Sequence, residues 1–401
     1  MVNAGDTAWI LASSALVLFM TPGLAFFYGG LARSKNVGSV IMHSFMAMGL
    51  VSVVWVLVGY SLAFGTDING IIGGLDFVAL NGVSASESSF GYNISDQTFM
   101  VFQLMFAIIT PALITGAFAE RMKFSSYVIF MVLWSLLVYS PLAHWVWGGG
   151  WLADLGAKDF AGGTVVHISS GVAALAAALI FGKRLGYGKE NMQPHNVPFV
   201  VLGAGILWFG WFGFNAGSAL AANADAVNAF VVTHIAAATA AVTWTILSWF
   251  FAKKASVVGA ASGAVAGLVA ITPAAGFVGV VPAIIIGIVV SILCYTAIQF
   301  IHRMRLDDAL DVSGVHGVGG TWGAIATGLF IGVGYSALPE GVSQMDQVVR
   351  QLIGVGATVV FSFVMTSVIL LGIKATMGLR VSEEEELAGL DVSQHAEPAY
   401  R

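Results

Sequence analysis

The chain has 401 residues, of which 58% are apolar and only 9% are charged, and its formal net charge is −5. Soluble domains usually carry about 25% charged residues, so this composition excludes a set of ordinary soluble domains and indicates a protein with lipid as its solvent. The negative net charge argues against nucleic-acid binding. The single cysteine, Cys294, lies in an apolar run, which excludes an intrachain disulfide framework and a cysteine-rich metal site.

Eleven apolar runs are each long enough to cross about 30 Å of hydrocarbon, which requires about 20 helical residues. They are centred on residues 8–31, 38–64, 98–119, 125–145, 162–182, 197–218, 227–251, 257–273, 277–300, 313–334 and 347–376. Uninterrupted runs of this length exclude a β-barrel, whose strands alternate apolar and polar residues over about ten positions. We therefore predict an all-α integral membrane protein with eleven transmembrane helices.

Basic residues in the connecting loops predict the orientation, because Lys and Arg are retained on the cytoplasmic side. The loops after odd-numbered spans and the segment after the last span contain Arg33, Lys35, Arg121, Lys123, Lys183, Arg184, Lys189, Lys253, Lys254, Arg303, Arg305, Lys374 and Arg380. The opposite loops contain only Lys158 and Arg350. The N-terminus is therefore predicted outside and the C-terminus in the cytoplasm. The first span is predicted to be a retained helix, since no Lys or Arg precedes it as a secretory signal requires.

An internal repeat places a histidine eight residues after an aspartate at the start of two spans. The copies are DFAGGTVVH at 159–167, opening span five, and DALDVSGVH at 308–316, opening span ten. Because five is odd, the copies cross the bilayer in opposite senses. A weaker similarity joins FFYGG at 26–30 to GFNAG at 213–217. We predict an inverted repeat of five helices plus five, with a pseudo-twofold relation and a final long helix.

Inverted repeats are typical of transporters and channels, whose pathway lies between the halves near the midplane. Eight helical residues cover about 12 Å, which carries His167 and His316 toward mid-membrane from opposite sides. We expect these two histidines to meet. A single histidine on an apolar helix, such as His43 or His234, is more often a core residue, whereas a symmetry-related intramembrane pair indicates an ion or proton pathway. A metal site is disfavoured, because no cysteine joins the pair and no HExxH-like pattern occurs.

Helix capping is one interpretation of each aspartate of the repeat, and a role in the pathway is the other. Asp159 either caps span five through backbone N–H groups or provides a fixed carboxylate that favours a cation at the outer mouth. Asp308 stands beside Asp307 and Asp311. We expect it in a hydrated inner loop, where it caps the following helix.

Aromatic residues cluster near the predicted outer mouth. Phe102 and Phe106 are one turn apart on span three, Trp147 ends span four, and Phe214 and Ser218 lie on span six. Belt and core packing explains most aromatic residues in membrane helices. Alternatively, Trp147 and an acceptor such as Ser218 hold a small cation by cation–π attraction, worth about 1–2 kcal/mol when partly desolvated. Composition leaves both interpretations open.

Eight motifs are distributed over nearly the whole chain. They are FYGGLARSKN (27–36), GAFAERMKF (116–124), HWVWGGG (144–150), DFAGGTVVHISSGVAAL (159–175), GWFGFNAGSA (210–219), SGAVAGLVAITPAAGFVG (262–279), DVSGVHGVGGTWG (311–323) and GLRVSEEEELAGLD (378–391). Together they closely resemble the Amt/MEP/Rh ammonium transporter family, specifically its prokaryotic Amt branch.

The resemblance implies a role for each candidate residue. The implied outer recruitment site for ammonium comprises Trp147, Phe106, Ser218 and the supporting carboxylate Asp159. The implied phenyl pair that occludes the pore comprises Phe106 and Phe214. The implied twin histidines are His167 and His316. Additional candidates for the pathway are Phe102, Asp308 and Tyr28.

The resemblance also implies a homotrimeric, multi-pass transporter of the cell membrane that is not an enzyme and has no cofactor or metal. Residues 1–380 would form the membrane domain, with helices 1–5 and 6–10 as the repeats and helix 11 peripheral. Residues 381–401 would form a cytoplasmic tail. This tail is either solvated or, as the resemblance favours, a docking element for a trimeric PII-type signal protein of the GlnK type.

A mechanism follows from the cost of moving a bare ion through hydrocarbon. We hypothesise that ammonium, with methylammonium as its analogue, loses a proton at the base of the outer mouth. Neutral ammonia then passes the phenyl pair and the two histidines, and these histidines share one proton. The sequence leaves open whether that proton returns outside or is relayed inward. It also leaves open two other functions: an ammonium sensor with incidental flux, and a membrane enzyme or redox subunit that uses the histidines as haem ligands.

Overall fold

The computed structural model describes residues 2–400, and helices dominate it. The α-helices are α1 Ala4–Leu31, α2 Val37–Val54, α3 Tyr60–Phe64, α4 Asp96–Phe118, α5 Phe124–Trp134, α6 Ser140–Trp147, α7 Trp151–Leu155, α8 Ser169–Phe181, α9 Val197–Gly217, α10 Ala224–Ala252, α11 Val257–Ile271, α12 Val280–Arg303, α13 Val318–Phe330, α14 Gln344–Thr376, α15 Glu383–Ala388 and α16 Leu390–His395. Four π-helical turns adjoin them, at Trp55–Gly59, Ser135–Tyr139, Gly163–Ile168 and Ser313–Gly317. Two 3₁₀ turns occur at Ser34–Asn36 and Val78–Leu80.

A small hairpin in the loop after α3 was not predicted. Its strands, β1 Asp67–Ile68 and β2 Ile72–Gly73, pair antiparallel, with Asp67 opposite Gly73 and Ile68 opposite Ile72. The ring of His144 on α6 holds this hairpin, because its Nε2 lies 2.8 Å from Asp67 Oδ1.

Within residues 2–400, nine helical stretches are long and apolar enough to cross a membrane. They are Ala4–Leu31, Ser34–Phe64, Asp96–Phe118, Phe124–Leu155, Gly163–Phe181, Val197–Gly217, Ala224–Ala252, Val280–Arg303 and Gln344–Thr376. Helices suit lipid because every backbone hydrogen bond forms within the segment. The chain is therefore a multi-pass membrane protein.

Two of the eleven predicted spans differ from these nine. The eighth corresponds to α11, which has only 15 residues. The tenth corresponds to α13, which has 13 residues and follows the polar, glycine-containing π turn Ser313–Gly317. The equivalent turn before α8, Gly163–Ile168, contains more Val and Ile and lengthens its apolar helix. The eighth span is thus an apolar but short helix, whereas glycine and polar residues make the tenth a weaker membrane span by composition.

Helices α1 and α9, which carry the weaker repeat, lie against each other with little side-chain material between them. A Cβ added at Gly203 would lie 2.3 Å from the backbone nitrogen of Phe27, and one at Gly30 would lie 2.7 Å from the backbone oxygen of Asn196. Small residues allow such close approach, and membrane helices associate largely through van der Waals packing of this kind.

The two histidine-bearing segments cross at matching positions. His167 and His316 each lie within a π turn, and Gly171 and Gly320 follow them by four residues. A Cβ at Gly171 would lie 2.0 Å from the backbone nitrogen of Gly317, and a Cβ at Gly320 would lie 2.9 Å from His167 Cβ. The two segments therefore pack backbone against backbone beside both rings.

A third pair of similar segments escaped the sequence analysis. ITPA occurs at 109–112 on α4 and again at 271–274 at the end of α11. The Thr110 hydroxyl donates to the carbonyl of Phe106 at 2.6 Å, and the Thr272 hydroxyl donates to the carbonyl four residues earlier at 2.8 Å. This pairing joins spans three and eight, as a five-plus-five repeat requires.

Replacing Gly171 with alanine should destabilise the protein, because the new Cβ would collide with the backbone of Gly317. Overpacking of this kind costs about 1–3 kcal/mol, and thermal unfolding in detergent measures it. Gly356→Ala on α14 is the matched control: nothing lies within 4 Å of its added Cβ. This control should be neutral or stabilising, since alanine exceeds glycine in helix propensity by about 1 kcal/mol. Equal melting temperatures for the two variants would contradict the close backbone contact between Gly171 and Gly317.

Candidate functional site

An outer cavity of about 240 Å³ lies between the ends of α4, α6 and α9. Its lining is mainly aromatic and comprises Tyr92, Phe99, Phe102, Gln103, Phe106, Val146, Trp147, Phe160, Ser218 and Leu220. The indole N–H of Trp147 donates to the backbone oxygen of Asp159 at 3.0 Å, which fixes the orientation of the ring. The structure thus brings Trp147, Phe106, Ser218 and Phe102 to one cavity.

Two phenyl rings separate this cavity from the interior. The ring centroids of Phe106 and Phe214 lie 4.3 Å apart with a 41° angle between the planes, and both side chains are buried. Phe106 also contacts Phe102 and Trp147, at centroid distances of 5.0 and 6.0 Å. The Ser218 hydroxyl donates to the carbonyl oxygen of Phe214 at 2.8 Å.

Beyond the phenyl pair lies a narrow internal cavity of about 10 Å³, large enough for about one water-sized molecule. We call this cavity the lumen. It is lined by Met20, Leu24, Phe27, Tyr28, Ile109, Leu113, Val166, His167, Leu207, Trp211, Phe214, Val265 and His316. The Tyr28 hydroxyl donates to the carbonyl of Leu113 at 2.9 Å. Apart from the two imidazoles, few polar groups line the lumen.

The two histidine rings face each other in the lumen. His167 Nδ1 lies 3.3 Å from His316 Nδ1, and the ring centroids are 5.3 Å apart. Trp211 and Phe214 stack on His167 at 5.4 and 5.9 Å. Within residues 2–400, the buried Nε2 of His167 has no hydrogen-bond partner.

This geometry determines what a neutral histidine pair can offer a guest molecule. A hydrogen bond between two Nδ1 atoms requires one proton, so one ring is the Nδ1–H tautomer and the other the Nε2–H tautomer. The remaining nitrogens are then one acceptor and one donor. An otherwise apolar lumen thus carries both kinds of hydrogen-bonding group, and a small neutral molecule such as ammonia is able to use either.

The carboxylate of Asp159 caps the first histidine-bearing segment. Its Oδ1 accepts from the backbone N–H groups of Gly162 and Gly163 at 2.8 and 2.6 Å. Its Oδ2 accepts from the backbone N–H of Thr164 at 2.7 Å and from the Thr164 hydroxyl. Both oxygens are used by the chain itself, and Asp159 is not among the residues that line the outer cavity. Its connection with that cavity runs through its backbone oxygen and Trp147.

The carboxylate of Asp308 occupies the related position in the second copy. Its Oδ2 accepts from the backbone N–H of Ser313 at 2.7 Å and from the Ser313 hydroxyl. The expectation that Asp308 is solvated is wrong, since only 3% of the residue is exposed. The loop folds inward because Arg121 donates to the backbone oxygen of Asp307 at 2.7 Å and Arg184 pairs with the Asp307 carboxylate at 2.7 Å.

The ion pair at Asp307 is itself buried. Burial alone raises the pKa of Asp307, but the hydrogen bonds and charge of Arg184, with the charge of Arg121, hold that pKa below its usual value. Asp307 is therefore ionised at neutral pH and paired.

Two residues that line these cavities were missed by the sequence analysis. Gln103 was detectable as a polar residue within an apolar span, and it lines the outer cavity. Trp211 lies one turn before Phe214 on α9 and was quoted within a motif without a role.

The two single histidines do not line the lumen: His43 is buried and His234 is exposed on α10. His234 therefore is not the core residue that was expected.

With this geometry established, the comparisons with known proteins identify the family. The profile of the Ammonium Transporter Family matches residues 8–400. The chain belongs to this family. The ammonium transporter Amt1 of Archaeoglobus fulgidus is 50% identical over 402 residues, which cover 100% of both chains. The predicted resemblance is confirmed.

Solved structures of the family have the same fold. The crystal structure of Saccharomyces cerevisiae Mep2 has a TM-score of 0.89 at 39% identity, covering 96% of this chain and 89% of that chain. A sensor Amt protein has a TM-score of 0.92 at 33% identity, covering 98% of each chain. Curated relatives are named as transporters, which agrees with a non-enzymatic function.

Removing the cap of the first histidine-bearing segment should destabilise the protein more than removing an ordinary cap. Asp159→Ala leaves several buried donors unpaired, each costing about 1–3 kcal/mol. Ser343→Ala on α14 is the matched control, because Ser343 is an exposed N-cap that accepts from Asp346 N at 3.1 Å, and losing such a cap costs about 1 kcal/mol. Thermal unfolding in detergent compares the two. A smaller loss for Asp159→Ala than for Ser343→Ala would contradict the capping role.

Proposed function

We propose that this protein recruits ammonium at the outer cavity, removes a proton there and conducts ammonia past the paired histidines into the cytoplasm. The observation that carries this proposal is the 3.3 Å approach of the two Nδ1 atoms in an otherwise apolar lumen. The family provides the substrate class.

Eleven membrane spans form part of the proposal. The nine long helices, together with α11 and the segment formed by the π turn Ser313–Gly317 and α13, make eleven. An odd number places the termini on opposite sides. The basic loops support an N-terminus outside and a C-terminus in the cytoplasm of a cell-membrane protein.

The outer cavity has the chemistry for binding a small cation. The faces of Trp147 and Phe106 attract positive charge, by about 1–2 kcal/mol when desolvated. Because the Ser218 hydroxyl uses its proton on the Phe214 carbonyl, its oxygen lone pairs remain available to an ammonium N–H. The carboxylate of Asp159 supports this site indirectly, by fixing the segment whose backbone oxygen holds the Trp147 indole.

Deprotonation follows from the contrast between the two cavities. The outer cavity holds about 240 Å³ and the lumen about 10 Å³, so an ion must lose its water to pass the phenyl pair. A bare ion in apolar surroundings is very unfavourable, whereas ammonia is neutral. The donor and acceptor nitrogens of His167 and His316 compensate ammonia for the lost water. The released proton returns outside or moves inward along the histidine pair.

The phenyl pair, both cavities and the histidines lie within one chain, so each subunit would have its own pathway. We propose that the assembly is a homotrimer, as the resemblance to the Amt branch implies. Large apolar side chains exposed along the outer helix faces, such as Phe45, Phe209 and Phe250, are available for contact with lipid or with other subunits.

The described part of the tail, residues 381–400, packs against the membrane domain. The backbone N–H of Ser39 donates to Asp391 Oδ1 at 2.8 Å, and the backbone N–H of Leu390 donates to Asn36 Oδ1 at 2.9 Å. Glu386 is buried and pairs with Arg380 at 2.6 Å. Part of the tail, at Glu386, Leu390 and Asp391, is therefore buried, whereas residues 396–400 are exposed. We propose that the docked tail helps to form the surface that binds a PII-type protein of the GlnK type.

A sensing role is the second candidate function, because a sensor Amt protein is among the similar structures. Reconstituted wild-type protein discriminates the two: ammonium binding without uptake or current would favour the sensor.

Removing either histidine should impair transport, because the lumen loses the nitrogens that accommodate ammonia. We expect His167→Leu and His316→Leu to lower methylammonium uptake into proteoliposomes about ten-fold or more, equivalent to one lost hydrogen bond. His234→Leu is the control, since this exposed side chain lies away from the lumen and its loss should leave uptake unchanged.

Parallel current recordings identify the transported species. An ammonium-evoked current in wild type that vanishes in both variants excludes purely neutral flux. Uptake that is unchanged in both variants would contradict the proposed pathway.

Deleting residues 381–401 should abolish co-purification with a PII-type protein and alter methylammonium uptake, because the tail contacts several cytoplasmic loops. Glu384→Gln is a milder control, since Glu384 is exposed on α15 and its loss should leave the tail docked. Unchanged PII association together with unchanged transport in the deletion variant would refute the docking role.

A further inference from the structure

A second, larger cavity lies at the opposite end of the molecule from the outer cavity. It has a volume of about 770 Å³. We call it the inner cavity, and it is lined by Leu31, Lys183, Arg184, Tyr187, Gly188, Lys189, Glu190, Met192, Gln193, Pro194, Val258, His302, Arg305, Asp307, Asp308, Ala309, Leu310 and Asp311. In the proposed orientation it lies on the cytoplasmic side.

One of the carboxylates among the residues that line the inner cavity has a buried oxygen without a hydrogen-bond partner. Asp308 lines the cavity with only 3% of the residue exposed, and within residues 2–400 its Oδ1 accepts no hydrogen bond. The related carboxylate of Asp159 has both oxygens occupied. The two carboxylates differ in what the residue three positions later donates to. The backbone N–H of Gly162 donates to the Asp159 side chain. The backbone N–H of Asp311 donates instead to the backbone oxygen of Asp308, at 3.2 Å.

The loop that carries Asp308 adjoins the inner end of the lumen. A Cβ at Gly116 would lie 2.5 Å from Val312 Cγ2 and 2.9 Å from Tyr28 Cζ, so these two side chains meet over Gly116. Tyr28 lines the lumen, and Val312 follows Asp308 by four residues. A molecule leaving the lumen past Tyr28 therefore reaches the neighbourhood of Asp308.

The two buried arginines near Asp308, Arg121 and Arg184, are both engaged with Asp307. Arg184 pairs with Asp307 at 2.7 Å and with Glu120 at 3.4 Å. The Asp311 carboxylate is held by His302 Nε2 at 2.8 Å. The ionisable groups around Asp308, from all the elements packed on the cavity, are Tyr28, Arg121, Lys183, Arg184, Tyr187, Lys189, Glu190, His302, Arg305, Asp307 and Asp311.

Burial raises the pKa of Asp308 to about 6, and the charge of Asp311 adds to this effect. An unpaired buried carboxylate oxygen favours a proton or a small cation with N–H donors. Asp308 is therefore able to exchange a proton near the pH of a cytoplasm.

We propose that Asp308 is an inner ammonium site and the proton donor to ammonia that leaves the lumen, an inference that rests on the proposed function. The O–H bond at Oδ1 breaks, an N–H bond forms, and ammonium remains paired with the carboxylate. The ion then departs through the inner cavity, and a proton from the inner solution restores the carboxyl group. One proton is consumed from that solution per ammonium formed.

Methylammonium uptake into proteoliposomes, with internal pH varied between 5 and 7.5 and external pH held constant, tests this role. We expect the wild-type initial rate to fall as the internal pH rises through about 6. Asp308→Asn should lower the rate about ten-fold, less than a positioned acid usually contributes because water in the cavity substitutes in part. The rate of this variant should not change with internal pH, and its external half-saturation should stay that of wild type. A wild-type inflection retained in Asp308→Asn would overturn the proposal.

Asp311→Asn provides an independent test, because it removes a like charge and leaves Asp308 in place. The inflection should then move to lower internal pH, and an unshifted inflection would overturn the proposal even if Asp308→Asn did not fold. The amide oxygen of Asp308→Asn is still able to accept from Ser313, which favours folding. Failure of the proposed function is distinguishable from failure of the Asp308 inference, since the wild-type protein would then show no uptake at any internal pH.

Discussion

The pathway depends on a crossing of two helical segments that has no room for side chains. Gly171 and Gly320 bring the backbones of the two repeat copies into contact, and this places His167 and His316 within hydrogen-bond distance. In lipid, unpaired backbone groups at such a break in the helices find no water. The aspartate at the start of each copy compensates by accepting hydrogen bonds from buried backbone N–H groups at the beginning of the helical segment. The position of the rings is thus set by the backbone packing of the two segments.

Buried ion pairs join the predicted cytoplasmic ends of the helices to one another. Glu120 pairs with Arg33 at 2.7 Å, so the ends of α1 and α4 are joined, and Asp307 pairs with Arg184 after α8. Glu386 accepts from the backbone N–H of the residue after Arg184 at 2.7 Å. Buried charges of this kind are tolerated only with partners. The docked tail and the loop that carries the inner carboxylate are therefore joined through ion pairs and one backbone hydrogen bond.

The sequence was most informative where one pattern recurs. The Asp-to-His spacing predicted two antiparallel copies. Eight of the spans predicted from apolar runs agree with the long helices to within about one helical turn, whereas the fourth helical stretch continues to Leu155, well beyond the predicted end at 145. Both remaining spans were predicted from their apolar residues, but α11 has only 15 residues, and the glycine and polar residues of the π turn Ser313–Gly317 weaken the apolar character of the span that contains α13. The burial of Asp308 was not predictable, since it depends on Arg184, which is far away in sequence. The π turns around the histidines likewise depend on tertiary packing.

The shared proton between the histidine rings is the centre of this account, and ¹⁵N NMR of ¹⁵N-histidine-labelled protein observes it most directly. Among the eight histidines, His167 and His316 are assigned by the loss of their signals in leucine variants. We predict a scalar coupling between their two Nδ1 nuclei through a single proton, with one remaining nitrogen protonated and the other not. Two uncoupled rings, each with an independent tautomer, would contradict the account.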